Sequence, residues 1–163
     1  MQTNYLLPHC FKKIGWFLFV PSFIMGLIML PVLEGVVDIS FEFFKTKVFA
    51  IAQRGFFTET SYFKIIENNI LDEIVAIGII VGGMFVAFSK ERNEDEFISK
   101  IRLESLLWAT YVNYIILLFA IIFVYEFGFI TVMIVNMFTV LLFFLGRFYW
   151  VIYRTKKQSY REK

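Results

Sequence analysis

Apolar and polar residues fall along this chain in long blocks rather than alternating one by one. Residues 14–33, IGWFLFVPSFIMGLIMLPVL, run for 20 positions without a charge, and about 20 helical residues at ~1.5 Å each cross a hydrocarbon core. A second block, IVAIGIIVGGMFVAF at 74–88, has 15 charge-free residues. Ile70 and Leu71 extend it to a span of about 70–89, with Asp72 and Glu73 at its edge. Two further blocks, 106–126 and 129–150, are separated only by Phe127 and Gly128, so they must lie as antiparallel neighbours joined by a tight hairpin. The pattern predicts four transmembrane helices in an all-α fold. Pro21, inside the first, is expected to kink it, because proline removes a backbone donor and crowds the preceding turn.

The polar blocks predict what lies outside the bilayer. In the first loop, Phe41, Phe44, Val48, Ile51 and Ala52 recur at helical spacing, with Glu42, Lys45, Thr46 and Gln53 turned elsewhere. This predicts an amphipathic helix in the headgroup plane, ended by Gly55. The stretch VVDISFEFF alternates instead, placing Ile39, Phe41 and Phe43 on one face, so residues 38–54 also admit a strand. The helix is preferred, since an isolated strand leaves its edges unpaired. Thr60 or Ser61 is placed to cap another helix beginning at Tyr62. Between the second and third spans, Asn93 followed by Glu96 matches a capping box, with Glu94, Asp95 and Glu96 where a helix dipole favours anions. One helix is therefore expected from Glu94 through Glu126, its first part, 94–105, projecting beyond the membrane or lying along its surface. After the fourth span, Arg147, Phe148, Tyr149, Trp150, Tyr153 and Arg154 make an aromatic belt with basic anchors, followed by a polar tail, TKKQSYREK, expected to fray.

Composition strengthens the membrane assignment. Of 163 residues 59% are hydrophobic, with a mean hydropathy of +0.70 and 22 Phe, 8 Tyr and 3 Trp. Soluble domains run near 45–50% apolar, and one of this size has too much surface to hide the excess. A single integral membrane domain over residues 1–163 follows. The first block is too long for a signal-peptide core and lacks a small-residue cleavage site, so it reads as a retained helix. A net charge of +2 is too small to suggest direct binding of nucleic acid. Lysine and arginine set the orientation: two precede the first span, four lie between the second and third, and six follow from Arg147 onward. Both termini and the 90–105 segment are therefore expected in the cytoplasm, and the first loop outside.

Candidate chemistry is sparse. Polar groups within a bilayer are costly unless paired. Here they are Thr110, Asn113 and Tyr114 on the third span and Thr131, Asn136 and Thr139 on the fourth. Asn113 and Asn136 lie at roughly 10 and 15 Å from the inner edge, close enough for a bond between helices. No ionisable residue falls near mid-membrane, which argues against a proton-coupled transporter. Gly78 and Gly82, and Gly83 and Ala87, keep the spacing of small-residue helix contacts, made either to another helix of this chain or to a second copy. The acids Glu34, Asp38, Asp72, Glu73 and Glu126 are scattered, whereas a hard-metal site needs converging oxygens. The single histidine, His9, adjoins the single cysteine, Cys10, and no recognised catalytic or nucleotide-binding motif is present. Neither an enzyme nor a cofactor is expected. What remains is the 94–105 helix, with Phe97, Ile98 and Ile101 as apolar contacts and Arg92, Lys100 and Arg102 as charged ones. It is a docking surface for a soluble cytoplasmic partner, or else rests on lipid headgroups or the chain's own tail. The competing class is a homo-oligomeric channel or transporter subunit assembled through Gly78 and Gly82.

At SKERNEDEFISKIRLESLLWATYVNY and at VMIVNMFTVLLFFLGRFYWVIYR the chain resembles a group of uncharacterised small four-helix membrane proteins of Bacteroidota, over roughly residues 70–154. The genes of that group often lie beside one for a small helix-turn-helix regulator. The resemblance implies a multi-pass protein of the bacterial cytoplasmic membrane that partners a transcription regulator. It transfers no catalytic residues.

Overall fold

The structure, a computed structural model, describes residues 6–33, 45–53, 61–92 and 95–161. Its elements are α1 (Cys10–Leu33), β1 (Lys45–Gln53), β2 (Ser61–Asn69), α2 (Leu71–Phe88), α3 (Glu96–Phe123) and α4 (Phe127–Arg161). All four helices are long and apolar enough to cross a membrane. α1 continues as helix through both Pro21 and Pro31. Leu7, just before α1, bridges to Ser89, just after α2, and the start of α1 meets the last third of α4 through Trp16 and Tyr149. Residues near both termini, Leu7 and the last third of α4, therefore share one end of the bundle. The β-strands and the α3–α4 turn occupy the other.

α2 is the hub. It is the shortest helix, 18 residues or about 27 Å, yet 44% of it is buried inside the protein, against 17% of the apolar window of α1 and 11% of those of α3 and α4. Its buried side chains Val75, Ile79, Val86 and Ala87 meet Phe19 of α1 and Phe144, Leu145 and Phe148 of α4, with Ile101 and Ala109 of α3 completing the core. The outer faces stay apolar, as at Phe17, Leu118 and Phe119. Helices that are hydrophobic all round belong in lipid.

Contact between α1 and α2 is close because glycine faces glycine. A Cβ added at Gly82 would stand 2.7 Å from the Phe19 backbone nitrogen, and one at Gly15 would stand 2.8 Å from the Val86 nitrogen. Only hydrogen at these positions lets the two backbones meet.

The first loop differs from expectation. β1 and β2 form an antiparallel hairpin, not an interfacial helix. Val48 pairs with Ile66, Phe49 with Ile65, and Lys47 with Glu67. The objection to an isolated strand fails because residues 61–69, read from sequence as a second helix, supply its partner. Branched, aromatic and oppositely charged residues then face each other across the ladder, the unit of sheet stability. The register passes over Ile51 and Phe63, where Phe63 takes a φ of 52°. Ser61 lies in β2. Phe41, Phe44, Ile39, Phe43, Gly55 and Thr60 lie outside the described residues.

Three helix boundaries also move. α3 starts at Glu96 and is capped by Asp95, whose Oδ1 accepts from Ile98 N at 2.8 Å; Asn93 and Glu94 lie outside the described residues. The turn to α4 is residues 124–126, with Glu126 at φ 56°, rather than Phe127 and Gly128, which are helical. Finally, the tail expected to fray from Thr155 is helical as far as Arg161, so α4 runs for 35 residues or about 52 Å. No glycine or proline interrupts it beyond Gly146, so nothing in the backbone stops propagation.

Candidate functional site

A cluster of polar side chains gathers where Leu7 and the start of α1 approach the ends of α2 and α4. Leu7 N donates to Phe88 O and Lys90 N donates to Leu7 O, both at 2.9 Å, so the chain start runs as a short parallel strand beside the α2–α3 connection. His9 Nδ1 lies 2.9 Å from the Lys90 carbonyl oxygen. One turn further, Lys12 Nζ donates to Glu91 Oε1 at 2.5 Å, with both side chains largely buried. The same ammonium stands 4.9 Å from the centre of the Tyr149 ring. A second cation is more deeply placed. Arg102 is buried, donates from Nη2 to Ser89 O at 3.3 Å, and stacks its guanidinium 5.2 Å from the Phe148 ring. Arg147 over Trp108 and Arg154 over Trp150 extend the collar outward. Buried cations require such partners, because burial strips their hydration.

This knot fixes residues 89–92 and 95–105 against the bundle and decides which of the expected docking residues are available. Arg92, Phe97 and Lys100 are exposed, and Ile98 is half-buried. Ile101 and Arg102 are interior, at 6% and 8% exposure, and this corrects their assignment to a docking surface. With Ile98, Ser105, Ala109 and Asn113 they lie on the inward stripe of α3, whose period of three to four residues continues through Arg102 and Ser105. Leu103, 59% exposed, stands one turn from Lys100 on the outward side. Lys100 also lies 4.0 Å from Glu104, an exposed pair of little energetic weight.

Of the other sequence candidates, the asparagines and the small residues pack between helices, while Tyr114 is exposed. Asn136 Nδ2 donates to Asn113 Oδ1 at 3.1 Å, joining α3 to α4; Thr110 and Thr139 turn their hydroxyls back onto their own helices. Gly78 lies against Ser22 of α1, and Gly82 against Phe19. Gly83 lies against Leu141 of α4, and Ala87 is fully buried. The small-residue face is thus occupied within the chain. Among the described residues, no group of three His, Cys, Asp or Glu side chains gathers that could hold a metal ion; Glu34 and Asp38 lie outside them. Cys10 is exposed and free.

Sequence reasoning missed Leu7, Lys12, Ser89 and Glu91 as parts of one assembly. The only local signal was opposite charge flanking the predicted ends of two spans.

The chain matches no family model, no curated protein and no solved structure.

Proposed function

We propose that this protein is a non-enzymatic, multi-pass protein of the bacterial cytoplasmic membrane that docks a soluble cytoplasmic protein on the outward face of the first turns of α3. The observation that carries the reading is the contrast within one short segment. Arg102 and Ile101 pin residues 96–105 to the bundle, while Phe97 and Leu103 remain more than half exposed on the opposite side beside Arg92 and Lys100. A surface held in place before binding loses little entropy on association. Exposed aromatic and basic side chains are the usual anchors of such contacts.

The placement of basic residues supports the cytoplasmic side. Lys12, Lys13, Lys90, Arg92, Lys100, Arg102, Arg147 and Arg154 all belong to the end that holds the termini, as inward-facing ends require. The resemblance to proteins encoded beside helix-turn-helix regulators suggests the class of partner, a small transcription regulator held at the membrane.

The test is cross-linked affinity purification from native membranes with Phe97→Glu and Lys100→Glu combined. The wild-type chain is expected to retain a stoichiometric soluble partner and the variant to lose it, with unchanged thermal unfolding in detergent. Retention of the partner by the variant, or a wild-type chain recovered alone, would overturn the reading.

A further inference from the structure

At the termini end α1 and α4 are in contact through Trp16 and Tyr149, with ring centres 5.5 Å apart. Further along, Phe19 of α1 and Leu141 of α4 close over Gly83 of α2. Beyond that point a cleft of about 590 Å³ lies between α1 and α4, a size typical of sites for small molecules. Phe23, Gly26 and Leu27 form one wall, Val135, Phe138 and Leu142 the other, and Val75, Ala76 and Ile79 of α2 the floor. Its lining on α1 runs from Phe23 to Val32, about 14 Å along the helix axis, the reach of one medium-length alkyl chain.

The mouth differs in chemistry from the walls. Asp72 and Glu73, in the first turn of α2, and Asn69 before it are its polar residues, and among the described residues no lysine, arginine or histidine lines the cleft. Asn68 Nδ2 donates to Glu73 Oε1 at 2.8 Å, and Asn69 Oδ1 accepts from Leu71 N at 3.1 Å. These bonds hold the acidic turn at the base of the hairpin. A cation at the mouth is attracted by both carboxylates, and an anion there is repelled by both.

We propose that the cleft binds a single-chain amphiphile with a cationic head group, its alkyl chain between α1 and α4 and its head at Asp72 and Glu73. Apolar walls alone would accept the tail of any membrane lipid. The acidic mouth makes the site selective among tails of equal length. The cleft lies at the opposite end of the bundle from the docking face, and neither depends on the other.

The test uses the full chain in nanodiscs of phosphatidylcholine and two photoreactive probes with the same diazirine-bearing dodecyl chain, one a trimethylammonium and the other a sulfate. The trimethylammonium probe is expected to label the segments Phe23–Val32 and Ile134–Leu142 saturably, at least tenfold more tightly than the sulfate. Asp72→Asn with Glu73→Gln, at exposed positions that leave the core untouched, is expected to erase that preference. Ala76→Trp, which fills the floor, is expected to abolish labelling by both probes. Equal labelling by the two probes, or labelling of the lipid-facing side of α3 at Leu118 and Phe119 as strong as that of the cleft, would mean ordinary lipid contact and overturn the proposal. So would a preference that survives loss of both carboxylates.

Discussion

Replacing Gly82 by alanine tests how the bundle is held together, and its size follows from two distances. The new methyl group would stand 2.7 Å from Phe19 N and 2.9 Å from Phe19 Cα, while ordinary contact begins at 3.4 Å. Both obstacles are backbone atoms, so no rotamer change relieves them. α1 must retreat by roughly 0.5–0.7 Å over the contact, the difference between those distances. Overpacking of this kind costs about 1–3 kcal/mol, a roughly 5- to 150-fold change in the folding equilibrium. Gly15→Ala meets the reciprocal obstruction, 2.8 Å from Val86 N and 2.9 Å from Gly82 O. One displacement of α1 relieves both clashes, so the double variant is expected to cost less than the sum of the singles by at least ~0.5 kcal/mol. Gly146→Ala is the internal control. Nothing lies within 4 Å of its added carbon, and alanine is favoured over glycine in a helix interior by roughly 0.5–1 kcal/mol. It is expected to be neutral or mildly stabilising. Unfolding in mixed micelles with rising dodecyl sulfate, followed by tryptophan fluorescence and circular dichroism, measures all four. Equal behaviour of Gly82→Ala and Gly146→Ala would refute the close α1–α2 contact, and strict additivity at Gly15 and Gly82 would refute the shared displacement.

Two further perturbations probe polar contacts. Asn113→Leu removes the acceptor of the Asn136 amide and is expected to destabilise by roughly 0.6–1.7 kcal/mol; in the same micelle titration Asn113→Leu with Asn136→Leu should recover most of that loss, since no polar group is then stranded, and an additive double variant would sink the pairing. Lys12→Glu or Glu91→Lys alone should loosen the N-terminal segment by about 1–3 kcal/mol, read as faster tryptic cleavage at Lys13. The charge-swapped double variant should restore protection only in part, because a carboxylate at residue 12 would face the Tyr149 ring that now receives a cation.

The four long helices were legible because the bilayer imposes a requirement on each segment separately. A segment must satisfy its own backbone and present apolar side chains over a fixed length, and both conditions can be read without knowing any neighbour. The hairpin was not legible on those terms. Over 41–52 the helical and alternating patterns overlap, since Val48 and Ile51 fit one and Phe49 and Ile51 the other. What decides between them is a set of pairs such as Lys47 with Glu67 and Val48 with Ile66, formed with a strand further along the chain. Strand propensity is a statement about neighbours, so a reading confined to one window favours the helix.

Arg102 shows a different kind of error. Its position was visible: Ile98, Ile101, Arg102, Ser105, Ala109 and Asn113 share the period of one helix face, and five of the six are buried. Charge was read as exposure, although a guanidinium can lie inside when a carbonyl and an aromatic face receive it, as Ser89 and Phe148 do. Periodicity was therefore the better guide to where the residue points, and chemistry the better guide to what it needs there. The cleft marks the limit of both. Phe23, Ile79 and Phe138 read equally well as packed core or as cavity wall, because apolarity in a membrane helix does not distinguish a neighbour's side chain from a ligand or a lipid. The distinction arises only from the separation of α1 and α4 beyond Gly83. That separation belongs to two helices more than a hundred residues apart in sequence, and each helix alone is indifferent to it. Only the acids at Asp72 and Glu73, legible from the start as interfacial, carried a trace of the site. They acquire a role only because the structure places an apolar hollow beneath them.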